Sequence, residues 1–273
     1  MQRYVYFYII KIMTAEQNIF SRTERLLGSD VMHGIASVRV IIFGIGGVGS
    51  WCAESLVRTG VRHITLVDCD SVNETNINRQ LHATSATVGQ RKVEAMRDRL
   101  MSINPDAEVV AIDKVYCEET AEEFNLNAYD YVIDAIDSLR DKILLIRQAT
   151  DSDATFFSSM GAALKIDPTQ VRVTEFWKVR GCPLGAMLRK RIKQSKKLLS
   201  RKFLCVYSEE LLVNRGDTSE KPEAGTHDGS SRAASGESKK AQINGSLSHI
   251  TAIFGFTLAG LVMQDINQRI LAQ

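Results

Sequence analysis

Between Asp68 and Lys92 the chain sets two carboxylates, Asp68 and Asp70, ahead of Asn76, Arg79, Gln80 and Lys92, and a second acidic pair, Asp134 and Asp137, follows. Cations interleaved with amide and carboxylate groups suit one task above others. They can neutralise a triphosphate, together with a metal, while its α-phosphate undergoes in-line attack. A nicotinamide cofactor demands few cations at that position. Upstream, Gly44, Gly46, Gly47 and Gly49 lie in G-I-G-G-V-G. Its G-x-G-x-x-G spacing permits a tight turn, close approach of backbone to phosphate, and close helix packing. By itself that fingerprint fits a dinucleotide as well as ATP, and the polar set downstream favours ATP.

These groups need a frame to hold them. Val38 to Phe43 is a nearly unbroken apolar, β-branched run, as expected of a parallel strand covered on both faces. Ser50 to Thr59 reads as the helix after the glycine turn, its free N–H groups facing phosphate. Asp68 and Asp70 end the next strand, where such a βαβ unit binds a ribose. Gln90 to Ile103 has helical spacing and stops at Asn104-Pro105. Glu108 to Ile112 and Tyr131 to Ile136 read as strands with a short helix between, and Thr155 to Ser159 as a further strand. Gln170 to Phe176 alternates polar and apolar residues, which predicts a half-exposed antiparallel strand at the far side of the sheet. The expected fold is α/β and Rossmann-like, a mostly parallel sheet with helices on both faces and an antiparallel extension. Phe20 to Ala36 reads as a short helical arm, and Ile250 to Met263 as a buried core helix too short to span a bilayer.

Through G-I-G-G-V-G-S, L-V-D-C-D, T-N-I-N-R-Q and D-A-I-D-S the chain resembles the ubiquitin-activating-like adenylating enzymes of the ThiF/MoeB superfamily. Within it the resemblance is greatest to the tRNA threonylcarbamoyladenosine dehydratases. It is carried by R-L-L-G at Arg25 to Gly28, G-x-x-x-x-I-D-P-T-Q at Gly161 to Gln170, C-V-Y-S-E-E at Cys205 to Glu210, and T-A-I-F-G-F at Thr251 to Phe256, and it spans roughly Phe20 to Leu261. The resemblance implies ATP and Mg²⁺, a structural monovalent cation, and a tRNA carrying threonylcarbamoyladenosine as substrate. It implies an acyl-adenylate, closed into a ring by a nitrogen of the same threonylcarbamoyl group. It places Arg79, Lys92 and Asp137 in catalysis and Asp137 on the metal. It also implies a homodimer, with Arg25 reaching the partner's ATP, and a cysteine-desulfurase-linked sulfur acceptor protein as a further partner. An activator of a ubiquitin-like or sulfur-carrier protein is the alternative.

Composition narrows the field. At 273 residues, 44% hydrophobic and 24% charged with a net charge of +2, the chain has ample material for one globular α/β domain. Its five cysteines form no C-x-x-C pair, which argues against the four-cysteine zinc site of carrier-activating relatives and for a reducing cytoplasm. Residues 1 to 19 are expected to lie outside the fold, residues 20 to 273 to form a single adenylating domain, and 216 to 246, poor in large apolar residues, to be a flexible insertion. The apolar run Tyr4 to Ile10 fits neither a membrane anchor nor a signal peptide, and a true start at Met13 is expected. Arg189 to Lys202 carries eight Lys or Arg in fourteen residues with no acid. Lys193, Lys196, Lys197 and Arg201 are therefore the expected polyanion contacts, with a solvated helix face as the rival reading.

Overall fold

The computed structural model describes residues 19–195, 197–216 and 244–272. The expectations for the amino-terminal extension, for Lys196 and for most of the insertion lie outside those residues. Two short helices, α1 (Ser21–Leu27) and α2 (Ser29–Ser37), precede β1 (Arg39–Phe43) and α3 (Gly49–Thr59). β2 (His63–Val67), α4 (Lys92–Ile103), β3 (Glu108–Ile112), β4 (Tyr131–Asp134), α5 (Leu139–Asp151) and β5 (Thr155–Ser159) continue the alternation. β6 (Val171–Glu175), α6 (Pro183–Gln194), β7 (Leu204–Ser208) and α7 (Ser248–Leu271) complete it.

Seven strands make one sheet in the order β3-β2-β1-β4-β5-β7-β6. Every neighbouring pair is parallel except β6 with β7. The centre is apolar on both faces because both are covered. Val40 and Ile42 of β1 join a core with α3, α4 and α7, whereas Ile41 and Phe43 join a second core with α5 and α6. The chain runs from β1 to β2 and β3 on one side and then crosses from β3 to β4 on the other side of β1. This reversal opens a crevice at the carboxyl ends of β1 and β4, where open α/β sheets bind ligands.

Several elements depart from the sequence reading. The arm splits at Gly28, and the strand expected over Tyr131 to Ile136 stops at Asp134. The connection between β3 and β4 holds 3₁₀ turns, Ala121–Phe124 and Leu126–Ala128, in place of a helix. β7 was not anticipated as a strand; it inserts between β5 and β6 and leaves β6 as the expected antiparallel edge. The basic run is helical only to Gln194, where α6 buries Leu188 and Ile192, and Leu199 packs beneath the loop that follows. α7 is long and apolar enough to cross a membrane by length and composition. It is nonetheless a core helix, with Ile250, Phe254, Leu258 and Val262 fully buried.

Two of the sequence motifs meet across the sheet. The carboxylate of Glu210 accepts from the N–H groups of Ile166 and Asp167, 2.9 Å each, and Lys165 Nζ donates to the carbonyls of Ser208 and Glu210. The loop after β5 is thereby tied to the end of β7.

Candidate active site

The glycine turn leaves β1 and bends at once because side chains are absent where they would clash. Gly44 has φ +87°, and a Cβ there would lie 2.6 Å from the carbonyl oxygen of Ala135 in the loop after β4. A Cβ on Gly49 would stand 1.9 Å from the carbonyl oxygen of Gly44, so only glycine lets α3 begin at that point. Ser50 Oγ donates to the Gly46 carbonyl at 2.7 Å and accepts from the Leu81 N–H at 3.3 Å, joining the turn to the polar segment.

Asp68 braces the turn. Its Oδ2 accepts from the Ile45 N–H at 2.7 Å and its Oδ1 from the Asp70 N–H at 2.9 Å. Burial pushes its carboxyl above the usual carboxylate range, with the charge of Lys92 pulling the other way. Asp70 accepts from Lys92 Nζ at 2.7 Å; the lysine is almost fully buried and the carboxylate faces partly outward. An ammonium has three donors, so Lys92 retains two beyond this pair. Asp68, Cys69 and Asp70 could approach a common ion, yet both aspartates already serve the turn and Lys92.

Asn76 is buried, and its Oδ1 accepts from the Asn73 N–H at 3.1 Å in a capping box around the short turn Glu74–Asn76. The same turn presents Arg79. Arg79 Nη1 donates to the Thr75 carbonyl at 2.9 Å and to Asn78 Oδ1 at 2.8 Å. Its backbone carbonyl accepts from Trp51 Nε1 at 3.1 Å and from Thr251 Oγ1 at 3.4 Å. Partial burial lowers the guanidinium pKa, and the carboxylate of Asp137, within electrostatic reach, opposes that shift. Gln80 is buried beside Gly46, and its Oε1 has no hydrogen-bond partner among the described residues.

Asp137 is exposed. The residues that fix its loop lie beneath it. Asp134, Lys142 and Ser158 are fully buried. Lys142 Nζ meets Asp134 Oδ2 at 2.8 Å and donates to the Ile136 carbonyl at 2.9 Å. Ser158 Oγ donates to Asp134 Oδ2 at 2.7 Å, and the Ile136 N–H donates to Asp134 Oδ1 at 3.1 Å. Sequence reasoning named Asp134 but missed its partners Lys142 and Ser158, and it gave no role to Trp51 or Thr251. A lysine inside the apolar stretch of α5 was the visible signal of the pair.

Other expected residues fall elsewhere. Arg25 is exposed on α1, and none of the described hydrogen bonds or ion pairs joins it to the crevice. Arg201 is withdrawn from the polyanion set. Its guanidinium donates to the carbonyls of Ala149, Thr150, Ser152 and Ala154, which satisfies the open end of α5. Lys193 lies 5.6 Å from the ring centroid of Trp177, and Lys197 is exposed. Cys182 is buried and caps α6 by accepting from the Gly185 N–H. Cys205 is buried, and burial pushes its thiol well up.

His82 sits almost wholly buried beside this machinery, with neither ring nitrogen hydrogen-bonded among the described residues. Burial first, and the charge of Lys92 second, lower its pKa to about 4. The unfolded imidazole titrates near 6.5, so between roughly pH 6.5 and 4 the unfolded state binds the extra proton. Stability contributed by neutral His82 is full above pH ~6.5 and drains as pH falls toward 4. Melting curves between pH 7.5 and 5 should therefore fall less steeply for His82→Gln than for the native chain. Parallel curves would exclude His82 as the source.

Comparison with known proteins gives a consistent picture. The family model described as the ThiF family matches residues 20–270. The tRNA threonylcarbamoyladenosine dehydratase of Bacillus subtilis (strain 168) is 37% identical over 248 residues, covering 90% of this chain and 94% of the relative. That of Escherichia coli (strain K12) is 39% identical over 209 residues, covering 75% of this chain and 78% of the relative. Among solved structures, E. coli tRNA N6-threonylcarbamoyladenosine dehydratase, TcdA, in complex with ATP superposes with a TM-score of 0.78 at 35% identity. It covers 93% of this chain and 96% of that one.

Proposed function

The chain belongs to the ThiF family, among the tRNA threonylcarbamoyladenosine dehydratases, and from that premise we propose that it uses ATP to cyclise threonylcarbamoyladenosine in tRNA. One observation carries the reading: the glycine turn after β1 packs against the Asp137 loop after β4, where a Cβ on Gly44 would lie 2.6 Å from the Ala135 carbonyl oxygen, and the Asp137 charge reaches Arg79. The substrate's threonine carboxylate attacks the α-phosphate of ATP, and pyrophosphate leaves. A nitrogen of the same threonylcarbamoyl group then attacks the activated carbonyl and loses its proton. AMP departs with the former carboxylate oxygen, so the substrate loses one water in net. The second nucleophile is tethered, and its high effective concentration removes the need for an enzyme thiol.

Arg79 and Lys92 hold the charge that develops on the phosphates, and the N–H groups at the start of α3 face the same oxygens. Asp137 suits Mg²⁺: it is an exposed oxygen donor with no hydrogen bond or ion pair among the described residues, and such an ion is commonly held by one or two carboxylates plus phosphates. When bound, the ion neutralises phosphate charge as a Lewis acid. A structural monovalent cation belongs to the reading through resemblance alone.

Residues 20 to 273 are read as the adenylating domain, in a homodimer whose Arg25 reaches the partner's nucleotide. Exposed Leu26 beside Arg25 supports that contact, since it leaves an apolar side chain 81% open to solvent within one chain. A cytoplasmic location accords with five free thiols. A cysteine-desulfurase-linked sulfur acceptor remains part of the reading through resemblance alone.

Pyrophosphate release from ATP should require tRNA bearing threonylcarbamoyladenosine, and unmodified tRNA should not support it. Release driven instead by a carrier protein would overturn the assignment. Transfer to a carrier through a thioester needs a reactive thiolate, whereas Cys182 and Cys205 are buried. Replacing both by Ala should leave ring closure within about twofold, with a small stability loss from the missing cap on α6. A thioester trapped on either residue would reverse this conclusion.

Most affinity for a whole tRNA must come from phosphate contacts outside the crevice. We assign these to the basic run, with Lys193 on α6, Lys197 beyond it, and Lys196 between them in sequence. Each such cation reversed to Glu should lower the slope of log K against log salt by roughly one unit or more while ATP affinity stays constant. An unchanged slope in Lys193→Glu, Lys197→Glu would make the run a solvated face.

A further inference from the structure

We propose that the cleft between the first turn of α5 and the outer face of α6 seats the modified nucleotide itself, an N6-acylated purine nucleotide in a single-stranded RNA segment. This inference rests on the function proposed above. The cleft has a volume of about 380 Å³ and is lined by Leu139, Met187, Lys190, Arg191 and Gln194. That volume lies within the range of small-ligand sites. Its position is set by the chain. Leu139 follows Asp137 by two residues, so their Cα atoms are at most roughly 7.6 Å apart, and the cleft opens beside the residue assigned to the metal. From Met187 to Gln194 the lining runs along α6 for roughly 10 Å, away from the crevice and along the basic helix.

The chemistry is divided to match such a ligand. Leu139 and Met187 offer apolar surface to a base, and Met187 is 48% exposed, so its flexible thioether is open to a ligand in the cleft. Arg191 can stack its guanidinium plane on a base or clamp a phosphate, and Lys190 supplies a second cation. Gln194 carries both a donor and an acceptor for a base edge. A smaller cleft of about 180 Å³ includes Thr155 and Leu204, the first residues of β5 and β7. It therefore sits at the amino edge of the sheet, opposite the glycine turn, and cannot serve the reaction.

The test fills the cleft without altering charge. In Met187→Trp, KM for tRNA bearing threonylcarbamoyladenosine should rise at least tenfold. The ATP dissociation constant, the salt slope of tRNA binding and the melting temperature should stay at native values. A phosphate contact elsewhere would change the salt slope, and a fold defect would change the melting temperature. Should Met187→Trp melt lower, Gln194→Trp narrows the same cleft from two turns along α6. A KM within twofold of native in a folded variant overturns the cleft and leaves the function standing. Absence of pyrophosphate release by the native protein with the modified tRNA would remove both.

Discussion

Alanine in place of Arg79 is expected to lower turnover at saturating ATP and modified tRNA about a hundredfold or more. A well-placed donor or cation at developing phosphate charge commonly contributes on the order of 3 kcal/mol to the barrier, and the proposed function gives Arg79 that place. Trp51 Nε1 and Thr251 Oγ1 fix its backbone, and Thr75 and Asn78 take one guanidinium nitrogen. The backbone ties survive the substitution, and the side-chain ties that are lost are local and exposed, so the melting temperature of Arg79→Ala should stay close to native. Lys92→Ala should lose turnover to a similar degree but also leaves Asp70 without its partner, so its stability must be read alongside. Near-native turnover in Arg79→Ala, measured as pyrophosphate release, would withdraw the arginine from the chemistry.

Lys142→Met should produce the largest loss of stability among these variants. Lys142 and Asp134 form an ion pair with both side chains at 0% exposure. Removing one partner of a buried pair leaves an uncompensated charge and costs about 3–5 kcal/mol. For a domain of this size that corresponds to a fall in melting temperature on the order of 10 °C. Because the same lysine holds the Ile136 carbonyl, turnover should drop as well, through looser placement of Asp137. The double variant Asp134→Asn, Lys142→Met should regain part of the loss, since it removes both charges together. If Lys142→Met melts within about two degrees of native, the pair does not brace the loop.

How much of this was legible in the sequence depends on where the determining force acts. The central strand β1 could be read directly because burial on both faces demands a continuous apolar run, and the spans expected for the edge strand β3 and for β5 also match those observed. The glycine turn was legible because its conformation excludes a Cβ. β7 was not, since Leu204 to Ser208 is a short run beside a basic loop, and its place in the sheet comes from β5 and β6, distant in sequence. Arg201 was read by charge density as a phosphate contact, although its role is set by the unsatisfied carbonyls of α5, which no local pattern reveals. Lys142 was hidden for the same reason, because a lysine among apolar residues shows neither its direction nor the aspartate it meets.

The insertion of β7 between β5 and β6 also constrains the order of events during synthesis. β6 leaves the ribosome before β7, yet it pairs with nothing else in the sheet, so it stays unpaired until Ser208 has been translated. α7, whose Thr251 supports the Arg79 segment and whose Gly255 lets the helix press on Val48, emerges after both strands. Long-range pairing of this kind is slow and leaves strand edges open in the interim. A nascent chain arrested before residue 248 therefore holds the whole nucleotide fingerprint without the helix that supports it, and ATP binding should appear only once Leu271 has cleared the exit tunnel.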